Sequence, residues 1–417
     1  MHSSRNSEPI SFGSAGSAGL PIDADLRDLV RIHTAAFPDG RGNDERRANF
    51  CGDPRGGCER LFVLRRAGRI VAHAFLFHMD VGVGGVLVPF GGIASVGVAP
   101  ENRGQGLGGI LLDGLHRRAE EEGLAGTFLY AFRQGFYRRY AYGRTSLRAI
   151  VDAHPASFPR LPRGQFGVRV AETDADFFEL MALQKRAVLR GTLGHARPAG
   201  VWAIRRARAG REWLVAERGT AAVAYMEAER RCTEEHGPVT LTVRELVADD
   251  DDARAQLFDW MHAQKDQLAN IVWEMPAGHV EALELVDPDR HRAGTGAIEH
   301  PLGTLALGPM VRLHADPGGF LRQRGWPHDG VVNVAIADGE GARCSSFALD
   351  VRDGRGSVSP LADGAEVHLA ATAADFASLV AGGVALGDLR RIRRENSTAL
   401  DLNAFFALAE ASPTDAF

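Results

Sequence analysis

No run of apolar residues in this sequence approaches the roughly 18 needed to cross a bilayer as a helix. Residues 1–20 are rich in Ser and Gly and lack the apolar core of a secretory signal, so they read as a disordered lead-in. Basic charge is not in excess. Lys and Arg number 48 against 53 Asp and Glu, a net charge of −5, and nothing favours a nucleic-acid partner. A mildly acidic chain is compatible with cationic substrates. Cysteine is scarce, with four residues at 51, 58, 232 and 344. Cys51 and Cys58 stand too far apart for a C-x₂₋₄-C zinc knuckle, and no His pair follows at finger spacing, so no metal is expected. The thiols are expected to be buried or idle, in a reduced, cytoplasmic setting. Tyrosine is also rare, with five in 417 residues.

What is present is a soluble globular composition, 45% hydrophobic and 24% charged. At about 150 residues per domain the length suggests two or three domains. The most informative stretch is Val96-Gly97-Val98-Ala99-Pro100-Glu101-Asn102-Arg103-Gly104-Gln105-Gly106-Leu107-Gly108-Gly109. It leaves an apolar, β-branched segment, turns at Pro100, and crosses a glycine-rich basic loop. Leu107, Leu111, Leu115 and Ala119 then recur at i, i+4 spacing, the signature of a helix face. Strand, glycine loop and helix N-terminus in that order make an anion site. The first N–H groups of a helix have no partner inside it, and the macrodipole adds partial positive charge there. Glycines let backbone approach a phosphate, and Arg103 contributes a formal charge.

Two nucleotide loops are set aside. A Walker loop ends in Gly-Lys-Ser/Thr, and no Lys follows Gly106. A dinucleotide loop has Gly-x-Gly-x-x-Gly, which Gly104, Gly106 and Gly109 fit. It also needs an acidic residue at the end of the next strand. That strand, Thr127 to Ala131, runs instead into Phe132-Arg133.

Val-x-Val-x-Pro-x-x-Arg-Gly-x-Gly-x-Gly resembles the pyrophosphate loop of the GNAT acyltransferases, Arg/Gln-x-x-Gly-x-Gly/Ala, matched by Arg103, Gly106 and Gly108. The resemblance implies a splayed strand whose Val96, Gly97 and Val98 hydrogen-bond the pantetheine arm of acetyl-CoA. It also implies that N–H groups of Gly104, Gln105, Gly106, Leu107, Gly108 and Gly109 hold the pyrophosphate, with Phe132 and Arg133 added to the cofactor site. Preceding elements fit the order: a helix from Asp23 to Ala36, then a hairpin of 61–64 and 70–77 around Arg66-Ala67-Gly68-Arg69.

Three of the five tyrosines lie in Tyr137-Arg138-Arg139-Tyr140-Ala141-Tyr142. Aromatic packing accounts for Tyr140 and Tyr142. In the resembling family, the first Tyr of such a run protonates the departing thiolate, and Tyr137 holds that position. A phenol with a reference pKa of about 10 stays protonated at neutral pH and can donate.

The order restarts near Val168. Helices are read at 177–193, 202–207 and 253–263, and strands at 212–216, 222–228 and 239–246. Where the glycine loop belongs, the sequence is Val247-Ala248-Asp249-Asp250-Asp251-Asp252-Ala253. Four carboxylates repel a pyrophosphate, so this unit reads as a degenerate GNAT fold, with Asp252 a candidate helix cap. Residues 301–417 resemble a sterol-carrier-like fold of five strands and a helix.

Taken together the expected class is α+β: lead-in 1–20, a catalytic GNAT domain 21–160, a degenerate GNAT domain 161–300, and a sterol-carrier-like α/β domain 301–417. Three units in this order resemble the Eis (enhanced intracellular survival) acetyltransferases. That resemblance implies an acetyl-CoA-dependent N-acetyltransferase acting on aminoglycoside or lysine-type amines, without metal, as a homohexamer. It implies that the carboxylate of the terminal Phe417 joins Tyr137 in catalysis. Asp39 is implied as a substrate residue. Asp415 stands one place before the family's usual acidic position, which Ala416 occupies. The alternatives are a lipid or acyl-chain binding protein using the C-terminal unit, and a long-chain N-acyltransferase.

Overall fold

The computed structural model describes residues 9–15, 23–161, 167–232, 237–276, 285, 290–291, 298–299, 302–337, 343–382, 384–389, 393–394 and 401–408. The first stretch of chain supplies β1 (Ile10–Ser14), α1 (Asp23–Ala36), α2 (Asn43–Gly52), β2 (Leu61–Arg66), β3 (Arg69–Val83), β4 (Val86–Val98), α3 (Leu107–Glu121), β5 (Gly126–Leu129), α4 (Gln134–Arg138), β6 (Gly143–Arg144) and β7 (Leu147–Ala153). The second supplies β8 (Gly167–Val170), α5 (Asp174–Arg190), β9 (His195–Ala196), α6 (Ala199–Arg206), β10 (Arg211–Arg218), β11 (Ala221–Cys232), β12 (Val239–Ala248), α7 (Asp251–Ala263) and β13 (Asn270–Pro276). The last supplies β14 (Arg290–His291), β15 (Ile298–Glu299), β16 (Leu302–Leu307), β17 (Met310–Leu313), α8 (Gly318–Gln323), β18 (Gly330–Ala337), β19 (Arg343–Arg352), β20 (Arg355–Pro360), β21 (Leu369–Thr372), α9 (Ala373–Ala381), β22 (Arg393–Arg394) and α10 (Leu402–Phe406).

Helix α1 spans the residues its apolar spacing predicts. Helix α5 begins earlier than its apolar pattern suggests. The Thr173 hydroxyl accepts from the Asp176 N–H while the Asp176 carboxylate accepts from the Thr173 N–H, a reciprocal capping box that fixes the start.

Three large sheets organise the described residues, beside a two-stranded β14–β15 pair. The first has the order β1-β2-β3-β4-β5-β17-β6, with β9 added against β3. The second runs β16-β7-β13-β12-β11-β10-β8, and the third β20-β19-β18-β21-β22. The first two have exchanged strands. Strand β7 leaves the first unit and pairs antiparallel with β13 of the second and with β16 of the last stretch. Strand β17 returns from beyond the second unit and inserts between β5 and β6 of the first. Cuts at 160 and 300 therefore do not separate the sheets. The first sheet borrows 310–313, and the second borrows 147–153 and 302–307.

Helix α3 covers one face of the first sheet, burying Leu107, Leu111, Leu115 and Ala119. Helices α1 and α2 cover the other face. There, one hydrophobic core joins Leu29, Phe75 and Phe90 of the first unit to Val334, Phe376 and Phe405 of the last. The C-terminal sheet is thus packed into the first unit rather than tethered to it. Thr192 Oγ1 donates to the Ala381 carbonyl at 3.2 Å, fastening α9 to the second unit as well.

Cys51 and Cys58 are joined in a disulfide that ties the end of α2 to the turn before β2. The expectation of idle thiols fails for this pair, because the α2 turn brings together two residues that sequence spacing leaves apart. Cys232 lies outside this disulfide, exposed, its thiol donating to the Gly237 carbonyl at 3.3 Å. No helix among the described residues is long and apolar enough to cross a membrane.

Candidate active site

The site is built where two strands part. Parallel pairing of β4 with β5 occurs only at Gly91 with Thr127 and Gly92 with Phe128. Strand β4 continues to Val98 while β5 ends at Leu129, so 93–98 face an open wedge. At about 3.3 Å per residue these six residues present roughly 20 Å of strand edge. The other edge of β4 stays paired with β3, His73 lying opposite Gly97 and Ala72 opposite Val98. The register shifts between His73 and Phe75, and Ser95 adopts φ +52°. This bulge turns the strand away from its neighbour. Nothing in the sequence marks it, because Ser95 is neither Gly nor Asn.

At the far end of the wedge the chain turns through Pro100–Asn102 into the glycine loop. Gly104 and Gly106 both have φ +77° and nothing within 4 Å of where a Cβ would lie. They are needed for conformation, since a left-handed residue with a side chain costs about 1–2 kcal/mol. Gly108 and Gly109 serve a different end. A Cβ on Gly109 would fall 2.1 Å from the Tyr140 hydroxyl, and one on Gly108 3.2 Å from Phe136. Those glycines let the aromatic run pack against the first turn of α3. From Gly104 to Gly108, no backbone N–H bonds a backbone carbonyl among the described residues. This row of free donors at a helix N-terminus fits a diphosphate.

The Arg103 side chain does not extend over that row. Its guanidinium donates to the Val98 carbonyl and to the Ala35 carbonyl, both at 3.2 Å. It fastens the last turn of α1 to the end of β4. Gln105 accepts from Arg66 at 2.7 Å and is exposed.

Tyr137 lies on α4 and is only 2% exposed. Its ring meets Phe132, Phe136 and Tyr142 edge-on, with centroids 5.8, 5.0 and 5.8 Å away. It shares a cluster with Leu107, Leu111, Leu129 and Met310, against which Val96, Val98 and Ala131 pack. The tyrosine, the splayed strand and the helix start are therefore one wall. Burial raises the phenol above its ordinary value, so it stays protonated across the neutral range. Among the described residues nothing hydrogen-bonds its hydroxyl. Tyr142 differs, since its hydroxyl meets His116 Nε2 at 2.9 Å and Thr127 Oγ1 at 2.7 Å. Phe132 is 71% exposed at the mouth of the wedge, and Arg133 beside it is exposed too.

The opposite wall carries buried polar groups that the sequence did not announce. His33 and His73 stack 9° from parallel with centroids 5.9 Å apart, and Phe50 packs edge-on against both. Burial holds His73 at about 3, and burial with the nearby Arg46 charge holds His33 at about 4. Both imidazoles are neutral at physiological pH. Arg46, 2% exposed, donates to His33 Nδ1, to the Phe37 carbonyl at 2.9 Å and to Asp39. Asp39 also pairs with Arg41, which holds its carboxylate well below the usual range. Asp39, which the family resemblance implies for a substrate amine, thus stands between two guanidinium groups, Arg41 and Arg46. The only early signal was that Asp39 follows the end of α1. Phe417 and Asp415 lie outside the described residues.

In the second unit, the Asp249 N–H donates to the Val223 carbonyl as the Ala99 N–H does to Val71. Helix α7 then starts at Asp251, whereas α3 waits until Leu107. The whole loop is missing. Asp249 pairs with Arg186 and Arg190, and Asp250 with Arg218. The cap is Asp250, which accepts from the Ala253 N–H at 2.8 Å, rather than Asp252. The carboxylate immediately before the first helical residue is the one placed to reach the N3 donor.

Residues 21–145 and residues 194–313 each match a family model described as an acetyltransferase (GNAT) domain. Among solved structures, a GCN5-related N-acetyltransferase from Anabaena variabilis is similar at 18% identity and a TM-score of 0.78, covering 97% of this chain and 99% of that one. One from Kribbella flavida is similar at 22% identity and a TM-score of 0.75, covering 97% of each chain. Eis1 from Mycobacterium abscessus is similar at 18% identity and a TM-score of 0.73, covering 97% of this chain and 99% of that one. No curated protein sequence matches the chain.

Proposed function

Because the chain belongs to the GNAT acetyltransferase family, with two such domains in tandem, we propose that its first domain moves an acetyl group from acetyl-CoA to an amine by direct attack in a ternary complex. The observation that carries this reading is the β4–β5 ladder, which stops at Gly92 and Phe128 while β4 runs on into a loop of free N–H donors. The chain is an acyltransferase, and an acyl-CoA is the co-substrate its family uses. The co-substrate supplies an activated thioester carbonyl.

This chain's residues then bind, orient and move protons. Free N–H groups from Gly104 to Gly108 hold the diphosphate. The unpaired edge of β4 hydrogen-bonds the pantetheine arm and offers an N–H near the bulge to the polarised carbonyl oxygen. Tyr137 donates its proton to the departing sulfur, a role suited to a phenol whose pKa burial keeps high. The C-terminal carboxylate of Phe417 orients the attacking amine and accepts its proton. The acceptor is a small-molecule or lysine amine, with aminoglycosides as one class to test, and a homohexamer is the assembly proposed.

A thiol-release assay with acetyl-CoA across an amine panel tests this reading. Turnover with acetyl-CoA on at least one primary amine is the expected result. Turnover with palmitoyl-CoA alone transfers the protein to the long-chain acyltransferases. Failure to bind any CoA ester removes the enzyme reading of the wedge.

A further inference from the structure

The surface between α1 and α2 carries a cleft of about 620 Å³, within the range of small-ligand sites. Arg27 and Arg31 of α1 and Arg47 of α2 line it, against a single carboxylate, Asp44. Arg31 is shared with Glu101 at 3.0 Å and Asp28 at 4.0 Å. Arg27 and Arg47 have no carboxylate partner among the described residues. Thr34 and Asn43 add uncharged hydrogen-bonding groups. In a chain of net charge −5, a cleft with this surplus of guanidinium is built for an anion.

Its position names which anion. Ala35 lines the cleft, and its carbonyl receives the Arg103 guanidinium at the head of the glycine loop. Glu101, which pairs with Arg31, sits in the turn that opens the same loop. The cleft therefore adjoins the diphosphate end of the wedge. The reacting end lies in the other direction, along β4 toward the Ser95 bulge, roughly 10 Å back from Val98 at about 3.3 Å per residue. An anion held in the cleft belongs to the nucleotide of the donor, not to the acceptor. Coenzyme A carries one phosphomonoester besides its diphosphate, on the ribose 3′ oxygen, a few ångströms along the same nucleotide.

We propose that the arginine cleft between α1 and α2 is a subsite for the 3′-phosphate of coenzyme A, which rests on the donor reading above. Arg27 and Arg47 supply the free charge. Arg31 is held in place by Glu101, and Arg103 fixes the cleft wall to the loop. The donor then bridges the α3 side of the sheet and the α1–α2 side, so loading the donor steadies the wall that carries Arg46, His33 and Phe37.

The test uses the full-length protein, calorimetry at fixed ionic strength, and two probes, CoA and 3′-dephospho-CoA. These differ only in the phosphomonoester. Wild-type protein is expected to bind CoA about 10- to 100-fold tighter than dephospho-CoA, the range of one charge-assisted contact set. In the double variant R27A/R47A, CoA affinity is expected to fall to that of dephospho-CoA, whose affinity is unchanged. An unchanged CoA affinity in the variant overturns the subsite, as does an equal loss of both probes. A variant that binds CoA normally but shows a raised KM for an anionic amine assigns the cleft to the acceptor and also overturns it. Wild-type protein that binds neither probe sinks the donor reading and the subsite together. Dephospho-CoA binding without a CoA advantage sinks the subsite alone.

Discussion

Met310 lies opposite Leu129 in an antiparallel ladder, so residues far beyond the first unit close the sheet whose wall carries Tyr137. Met310 also faces Arg144 on its other side, which places β17 between β5 and β6. The side chains of Met310 and Val311 are fully buried and Leu313 nearly so. Met310 packs in the cluster of Tyr137 itself.

A fragment ending at residue 160 is therefore expected not to fold. It loses three buried apolar side chains worth about 1.5–3 kcal/mol each, a sum that rivals the roughly 5–15 kcal/mol stability of a whole domain. It also leaves β7 without its sheet. Circular dichroism and CoA calorimetry on the fragment check this. A fragment with a cooperative melt and native CoA affinity contradicts the strand exchange.

Tyr137→Phe is expected to fold normally, because no described group bonds the lost hydroxyl. Its kcat is expected to drop about 10²- to 10⁴-fold, the range of general acid catalysis, with the acetyl-CoA KM little changed. Appending one residue after Phe417 is expected to lower kcat sharply as well. Unchanged kcat in either protein removes that group from the mechanism.

The two glycine pairs are expected to respond differently. Gly109→Ala pushes a methyl into the Tyr140 hydroxyl at 2.1 Å, so the aromatic run shifts and both Tm and CoA affinity fall. Gly104→Ala meets nothing and pays only the left-handed strain of about 1–2 kcal/mol. Thermal melts with and without CoA separate these effects. A milder effect at Gly109 than at Gly104 contradicts the packing role.

Buried neutral histidines predict acid lability. His33 sits at about 4, and His73 and His116 at about 3, all below the ordinary value of 6.5. A depressed folded pKa gives stability that is complete above the unfolded pKa and is lost as pH falls toward the folded one. Between pH 6.5 and 4 each such histidine removes about 1.4 kcal/mol per pH unit. Unfolding by denaturant is expected to ease steeply over that window. His73→Phe is expected to flatten the slope by one histidine's share. An unaltered slope denies that His73 is neutral in the fold.

Much of this was legible in the sequence because it is local. The strand, Pro100 turn, glycine loop and helix declare themselves through periodicity and through residues that only certain backbones accept. Helix α1 and the β2–β3 hairpin follow from the same short-range rules. The degenerate second unit was also legible, since an acidic run cannot hold a diphosphate. Only the structure showed that the loop is deleted and that Asp250 is the cap.

The sequence by itself determined the glycine loop before α3, the buried-aromatic run around Tyr137 and the repeat of the fold, because these depend on neighbours within a few residues. Tertiary structure alone decided that β7 and β17 change sheets and that a bulge at Ser95 opens the wedge. It also decided that Arg103 fastens α1 to the end of β4, that Asp39 pairs with Arg41 and Arg46, and that Cys51 meets Cys58. Each of these depends on which strand edge or carbonyl lies nearest once distant segments pack, and pairing energy between segments leaves no periodic trace in either one.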